Sequence, residues 1–286
     1  MSRVVARRRA VVVRLAGDGT GAATAHEREQ ALAGEEPLEI RAAGRSHSVT
    51  MRTPGEDFDL VAGFLLSEGV LRERDDLVAL RYCTGTDAEG WQTYNVVEAS
   101  LAADAALRAL GRERRTYTTS ACGVCGLTAI DDVEVTSAFD VAADDVVVDA
   151  EVLAGLPEAL RAAQPLFART GGVHAAGLFT AGGDALVVRE DVGRHNAVDK
   201  VLGRALRDGL LPLRGTVLQV SGRASFELVQ KAVMAGVPVL AAVGAPSDLA
   251  VALAERAGLT LVGFSRGDRL TLYTRPGRVR VGSVPV

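Results

Sequence analysis

Residues 215–264 read GTVLQVSGRASFELVQKAVMAGVPVLAAVGAPSDLAVALAERAGLTLVGF. Three short apolar runs, GTVLQV, VPVLAAV and LTLVGF, lack the apolar–polar alternation of a half-exposed strand. Strands that are covered on both faces have that pattern, as parallel strands do. Between them lie two helical stretches, ASFELVQKAVMAG and SDLAVALAERAG, each stopped by glycine. Strands and helices that alternate across short connections predict a layered α/β arrangement. In such a sheet, ligands gather at the carboxyl ends of the strands. Three loops fall there: Ser221-Gly222-Arg223, Gly244-Ala245-Pro246-Ser247 and Ser265-Arg266-Gly267-Asp268-Arg269. Helix N-termini offer free N–H groups to anions, and Arg223, Arg266 and Arg269 add forked donors; each arginine alone reads as a solvated surface residue, and the convergence of the three loops sets a phosphate-bearing ligand level with that plain reading. Ser247 before Asp248-Leu249 also reads as a plain N-cap. There is no Walker A sequence and no G-x-G-x-x-G after a strand, which excludes the ordinary NTPase and dinucleotide readings.

Upstream, EVLAGLPEALRAAQPLFART (151–170) reads as one helix ended by Gly171-Gly172. AAGLFTAGGDALVVRE (175–190) reads as a hairpin around Gly182-Gly183, and GRHNAVDKVLGRALRDG (193–209) as an amphipathic helix. Within the last, His195 is a candidate base with Asp191 or Asp199 as its orienter. The plainer reading is a hydrogen-bonded histidine at a helix start, and the same holds for His174. No G-x-S-x-G elbow surrounds Ser221, which argues against a serine nucleophile. Nearer the start, EPLEIRAAGRSHSVTMRTP (36–54) predicts a hairpin stopped by Pro54. DFDLVAGFLLSEGVL (57–71) predicts a helix with Leu60, Val61, Phe64 and Leu65 on its apolar side and Gly69 at its end. Residues 94–101 and 133–148 read as short strands, and residues 17–33 as a loose connection. The predicted layout is a loosely ordered segment over 1–34, a β-rich domain over 35–145 and an α/β domain over 146–286.

Hydrophobic residues make up 48% of the 286 and charged ones 24%, a balance that builds an ordinary folded core. The net charge of −4 gives no case for a nucleic-acid or membrane-surface protein. No apolar run is long enough to span a bilayer. Arg14 interrupts the apolar patch after Arg7–Arg9 too early for an export signal. With three cysteines, a reducing cytoplasmic setting is expected, without a disulfide framework.

Two of those cysteines form an isolated C-x-x-C in RERRTYTTSACGVCGLTAI (112–130). Four readings compete. A structural zinc site needs four ligands, and Cys83 with a histidine would have to complete it at irregular spacing. A thioredoxin-type pair opens a helix after a strand, whereas Gly123 and Gly126 point to a loop. A zinc deaminase requires H-x-E and P-C-x-x-C, but His174 is followed by Ala175-Ala176 and Cys122 is preceded by Ala121. The favoured reading is a nucleophilic or carrier cysteine on a loop. Arg112, Arg114 and Arg115 would lower its thiol pKa, and the glycines would permit close approach to a partner.

Several stretches together resemble the FdhD family of sulfur carriers, accessory factors for formate dehydrogenase. They are EEPLEI, VTMRTPGEDFDLVAGFLLSEG, ACGVCG, GGVHAAGLF, REDVGRHNAVDKVLG, SGRASFELVQKA and LTLVGFSRGDRLTLYTRP. They occur in the family's order over roughly residues 35–280. The resemblance implies a cytidine-deaminase-like α/β/α sandwich at the C-terminal side and a sulfurtransferase-type carrier. Sulfur would come from a cysteine desulfurase as a persulfide on Cys122, with Cys125 as resolving or second carrier thiol. It would pass to the bis-molybdopterin guanine dinucleotide form of the molybdenum cofactor before insertion into formate dehydrogenase. The guanine-dinucleotide segment falls on Phe264, Ser265, Arg266, Gly267, Asp268 and Arg269, the same strand-end loop that the topology selects. The resemblance further implies a homodimer and no permanently bound metal. The rival from another class is a non-catalytic chaperone that binds only the cofactor or the apo-dehydrogenase.

Overall fold

The computed structural model describes residues 4–15, 23–83, 85, 92–111, 137–282 and 284–285. The chain starts with a hairpin of β1 (Val5–Arg14) and β2 (Thr24–Ala33). Next come β3 (Glu36–Ala42), β4 (Arg45–Arg52), α1 (Asp57–Ser67), β5 (Leu77–Tyr82), β6 (Val96–Leu101) and α2 (Ala103–Leu110). Strands β3–β6 form a four-stranded sheet in the order β4-β3-β6-β5. After a short β7 (Val148–Asp149) follow α3 (Ala150–Ala162), α4 (Pro165–Thr170), β8 (His174–Thr180), β9 (Ala185–Asp191) and α5 (Arg194–Arg207). The final part alternates β10 (Thr216–Val220), α6 (Phe226–Met234), β11 (Val239–Ala242), α7 (Asp248–Ala257), β12 (Thr260–Arg266) and β13 (Arg269–Leu272). The short strands β14 (Val279–Val281) and β15 (Val284–Pro285) join β7 in a small sheet.

The main sheet has six strands in the order β13-β12-β11-β10-β8-β9. Only β10, β11 and β12 run parallel; β8, β9 and β13 are antiparallel to their neighbours. Every residue of β10 and β11 is buried, which is why their sequences show no alternation. One face packs on α3 through Leu153, Leu156 and Leu160, which meet Phe179, Val217, Val239 and Val262. Each buried leucine contributes about 2 kcal/mol by removal from water. The opposite face, with Leu178, Leu218 and Leu240, packs on α5, α6 and α7. The same apolar core continues through Leu60 and Leu65 of α1 to Leu38 and Ile40 of β3.

The structure departs from the sequence expectations in four places. Thr24–Ala33, read as loose, is a full strand held by ten rungs to β1, so most of the 1–34 segment is an ordered hairpin. Its polar composition hides a strand whose pairing comes from the partner strand rather than from burial. The single helix over 151–170 is two, because Pro165 has no N–H for helix continuation and disfavours helical geometry at Gln164. Between 137 and 147 there is no strand; only Val148–Asp149 pairs. Helix α2, absent from the sequence reading, follows β6 directly.

Candidate functional site

The three strand-end loops meet. The Gly244 N–H donates to the Gly222 carbonyl (3.0 Å), the Ser247 N–H to the Ala224 carbonyl (3.0 Å) and the Phe264 N–H to the Gly244 carbonyl (3.1 Å). Gly244 is needed for this closeness: a Cβ there would stand 3.0 Å from Arg223 Cγ and 3.3 Å from the Gly222 carbonyl. Beside these loops opens a cleft of about 860 Å³. Ser221, Val243, Arg266 and Gly267 supply its strand-end side; His174, with Gly171 and Gly172, supplies a second; Arg161 and Phe167 supply a third.

The segment nominated from the sequence divides by role. Phe264 sits at φ 51°, in the left-handed region, where a bulge between Gly263 and Arg266 breaks the register with β13. A bulge re-aims the residues that follow it. Ser265 is fully buried and its Oγ donates to the Leu153 carbonyl at 3.0 Å, fastening the loop to α3. Arg266 and Gly267 line the cleft, with Gly267 at φ 64° in the turn. Asp268 and Arg269 are exposed on the turn and at the start of β13. The Ser221 Oγ accepts from the Ala175 N–H at 2.9 Å, a structural role. Ser247 caps α7 by accepting from the Ala250 N–H at 3.3 Å, as its sequence context predicts.

Arg161, Arg266 and Glu158 are the charged residues of the lining. The Arg161 guanidinium carbon lies 3.9 Å from the centre of the Phe167 ring, which pins a flexible charged side chain at the wall. The α3–α4 break creates this pair, and nothing in the sequence pattern marks it. His174 is half-buried; burial first, and Arg194 second, lower its pKa, against the pull of Asp191. The cleft is thus a largely apolar pocket that carries Arg161 and Arg266 and one carboxylate, Glu158, a lining able to take a purine ring with phosphate at the arginines.

The REDVGRHNAVDK motif does something else. Asp191 is buried and accepts from the Thr53 N–H (3.0 Å), the Gly193 N–H (2.8 Å) and Asn196 Nδ2 (3.0 Å). Its carboxylate also lies 2.8 Å from Lys200 Nζ. Asp199 pairs with Lys231. Neither aspartate orients His195, which corrects the sequence expectation: the ring Nε2 lies 3.3 Å from Glu227 Oε2 and 3.4 Å from Ser225 Oγ, both on or just before α6. Burial, the largest influence, drives His195 down to about 4 even with Glu227 beside it. A neutral, enclosed imidazole holding two helix starts together is the structural reading, not a general base.

Cys122 and Cys125, with Arg112, Arg114 and Arg115, lie outside the described residues. Cys83 is a free, partly buried thiol. Among the described residues, no three His, Cys, Asp or Glu side chains are placed to share a metal ion, and no helix is long and apolar enough to cross a membrane.

The FdhD/NarQ family model matches residues 33–280. The chain belongs to the FdhD/NarQ family. It is 55% identical to the sulfur carrier protein FdhD of Nocardia farcinica, across 97% of this chain and 96% of that one. It is 54% identical to the Streptomyces avermitilis protein of that name, across 98% and 97%. The crystal structure of a Desulfotalea psychrophila protein assigned as a formate dehydrogenase accessory protein superposes with a TM-score of 0.71 at 24% identity. That match covers 97% of this chain and 100% of the other, and it establishes a shared fold. Within the FdhD/NarQ stretch fall the cleft, the Phe264–Arg269 loop and the C-x-x-C; the β1–β2 hairpin precedes all but its first residue.

Proposed function

We propose that this chain carries sulfur for formate dehydrogenase. It takes sulfur from a cysteine desulfurase onto Cys122 as a persulfide. It then delivers that sulfur to the molybdenum cofactor, in its bis-molybdopterin guanine dinucleotide form, before the cofactor enters the dehydrogenase. The observation that carries this reading is the pairing, in one family member, of the Cys122–Cys125 motif with an Arg-rimmed cleft at the strand ends. The names of the N. farcinica and D. psychrophila relatives point the same way. Helices on both faces of the six-stranded sheet support a cytidine-deaminase-like sandwich, here with Ala176 where a deaminase would need its carboxylate.

The loading step is an exchange without net oxidation. The Cys122 thiolate attacks the terminal sulfur of the donor's persulfide. The donor's S–S bond breaks, its cysteine leaves as thiolate, and a new S–S bond forms on Cys122. Release as hydrosulfide takes two electrons from the protein's own thiols: Cys125 attacks Cys122 Sγ, and a Cys122–Cys125 disulfide results. A cellular dithiol returns the pair to its starting state, which suits the reducing cytoplasm. Meanwhile Arg266, and Arg161 on its Phe167 support, would bind phosphate or guanine groups of the acceptor, which is cargo and not a resident cofactor.

The test is intact mass without reductant, after incubation with an active cysteine desulfurase and free cysteine. A reductant-labile gain of one sulfur atom, lost in Cys122→Ala, supports the relay. No gain in any variant would refute it and leave the cofactor-binding chaperone.

A further inference from the structure

Helix α3 carries a proline inside it, and that proline shapes the cleft. Pro157 has no N–H to give the Leu153 carbonyl, four residues earlier in the helix. That carbonyl instead accepts from Ser265 Oγ at 3.0 Å. The acceptor that the proline frees thus ties the Phe264–Arg269 loop to α3. Glu158 follows Pro157 and Arg266 follows Ser265, so one tie brings both residues to the cleft. Ala154, Pro157, Glu158 and Arg161 all line it, at the i, i+3, i+4 and i+7 spacing of a single helix face. On the other side of the same helix, Leu153 and Leu156 pack on the sheet.

Glu158 is the one carboxylate of this lining. Three residues from Arg161 on a helix, it is placed to pair with that arginine, but the guanidinium is taken up on the Phe167 ring. Glu158 makes no hydrogen bond or ion pair with any described residue. A carboxylate repels phosphate, so it suits the other half of a nucleotide. It only accepts, through two oxygens side by side, and its complement is an edge with two adjacent N–H donors. Among the common bases guanine alone has such an edge, N1–H beside N2–H. Adenine sets its N6–H beside a bare N1, and cytosine and uracil also alternate donor and acceptor.

We propose that Glu158 is the residue by which the cleft selects guanine, its two carboxylate oxygens accepting from N1–H and N2–H while the phosphates lie toward Arg266. The inference rests on the nucleotide role given to this cleft in the proposed function and adds the residue that sets the choice of base. The apolar neighbours Ala154, Pro157 and Val173 favour such reading, because they leave the base edge few other partners. A site that hydrogen-bonds a donor pair rejects an analogue lacking it far more strongly than an apolar pocket rejects a change of shape. A merely solvated glutamate has a different signature. Its removal would relieve repulsion and strengthen every nucleotide diphosphate alike, with no change in base preference.

The test is calorimetric titration of the full chain with GDP, IDP, ADP and xanthosine diphosphate. The wild type should bind GDP about tenfold or more tighter than ADP, with IDP, which lacks the N2 amino group, between them. Glu158→Ala should remove most of that preference. Glu158→Gln turns one acceptor oxygen into an N–H donor, so GDP should weaken while xanthosine diphosphate, with a carbonyl in place of the N2 amino group, gains on it by about tenfold. Glu158 is exposed, so thermal melts of both variants should match the wild type. GDP binding whose preference over ADP survives both substitutions overturns the role of Glu158 and leaves the nucleotide in the cleft. Equal strengthening of all the ligands overturns it too, since charge alone would then be at work. A wild type that binds none of them overturns this inference together with the nucleotide role of the cleft, while sulfur loading of Cys122, read by mass, stands or falls separately.

Discussion

Gly63 of α1 lies directly against the main-chain carbonyl of Asp199 in α5: any Cβ at Gly63 would overlap that carbonyl. The contact is reciprocated by Gly203 of α5 against the Asp59 carbonyl of α1. Two helices from distant parts of the sequence therefore cross backbone to backbone, with no room for a methyl group. Alanine gains about 1 kcal/mol over glycine in an isolated helix, but here it would push the helices apart. Gly63→Ala and Gly203→Ala should each lower unfolding free energy by about 3 kcal/mol, at the upper end of overpacking costs. Gly155 in α3 has open space around its would-be Cβ. Gly155→Ala should stabilise by about 0.5–1 kcal/mol. Urea titrations of the three variants decide it, and equal effects at all three would refute the close-crossing account.

Beside that crossing, Lys231 Nζ lies 2.9 Å from both Asp199 carboxylate oxygens, and Ser67 Oγ donates to Asp199 at 2.8 Å. Both charged side chains are nearly inaccessible. Removing one partner strands the other charge away from water. Lys231→Met should cost about 3–5 kcal/mol. The double variant Asp199→Leu/Lys231→Met, which removes both charges, should recover at least half of that. Chemical denaturation at pH 7 checks the pair; a double variant no better than the single one would show that packing, not charge, sets the cost.

His195 makes stability depend on pH. Its folded value, about 4, lies below the ordinary histidine value of 6.5. Between these values the unfolded chain binds the extra proton, so stability is retained above 6.5 and lost as pH falls toward 4. From pH 7.5 to 5 the loss is about 2 kcal/mol. Asp199 works in the opposite sense: burial pushes it up to about 6, so the folded state takes up a proton first, and lowering the pH favours folding there. The wild-type curve is therefore flattened by two opposed groups. His195→Gln should expose the difference, gaining about 2 kcal/mol on the wild type at pH 5 relative to pH 7.5. Unfolding midpoints at the two pH values test this, and parallel curves would refute it.

How far the sequence foretells this molecule depends on where the deciding contacts lie. Strands β10–β12 were legible because burial on both faces removes alternation, and their loops pointed to the cleft. The partners of His195 were not. Glu227 is distant in sequence and reaches the ring only because α5 and α6 start side by side. The Arg161–Phe167 stack depends on the chain breaking at Pro165, a tertiary choice that the helical periodicity of 151–170 conceals. Gly63 and Gly203 did leave a signal, as isolated glycines inside apolar helices, but only the folded partner explains them.

The Phe264–Arg269 loop offers a test in which neighbouring residues should fail differently. Arg266 lines the cleft and is exposed, so Arg266→Ala should leave unfolding unchanged within about 0.5 kcal/mol. It should weaken binding of GDP, a probe for the guanine nucleotide half of the proposed acceptor, by about tenfold or more, the worth of a charge-assisted hydrogen bond. Arg161→Ala should act likewise from the α3 side of the cleft. Ser265 is turned inward onto the Leu153 carbonyl. Ser265→Ala leaves that acceptor unsatisfied and should cost about 1–3 kcal/mol of stability, with a smaller effect on GDP affinity at temperatures where the variant stays folded. Calorimetric titration at two salt concentrations, with thermal melts of each variant, separates the roles. Undiminished GDP binding in Arg161→Ala/Arg266→Ala would remove the nucleotide from this cleft, while a Ser265→Ala protein as stable as the wild type would show that the loop is held by Phe264 and its bulge instead.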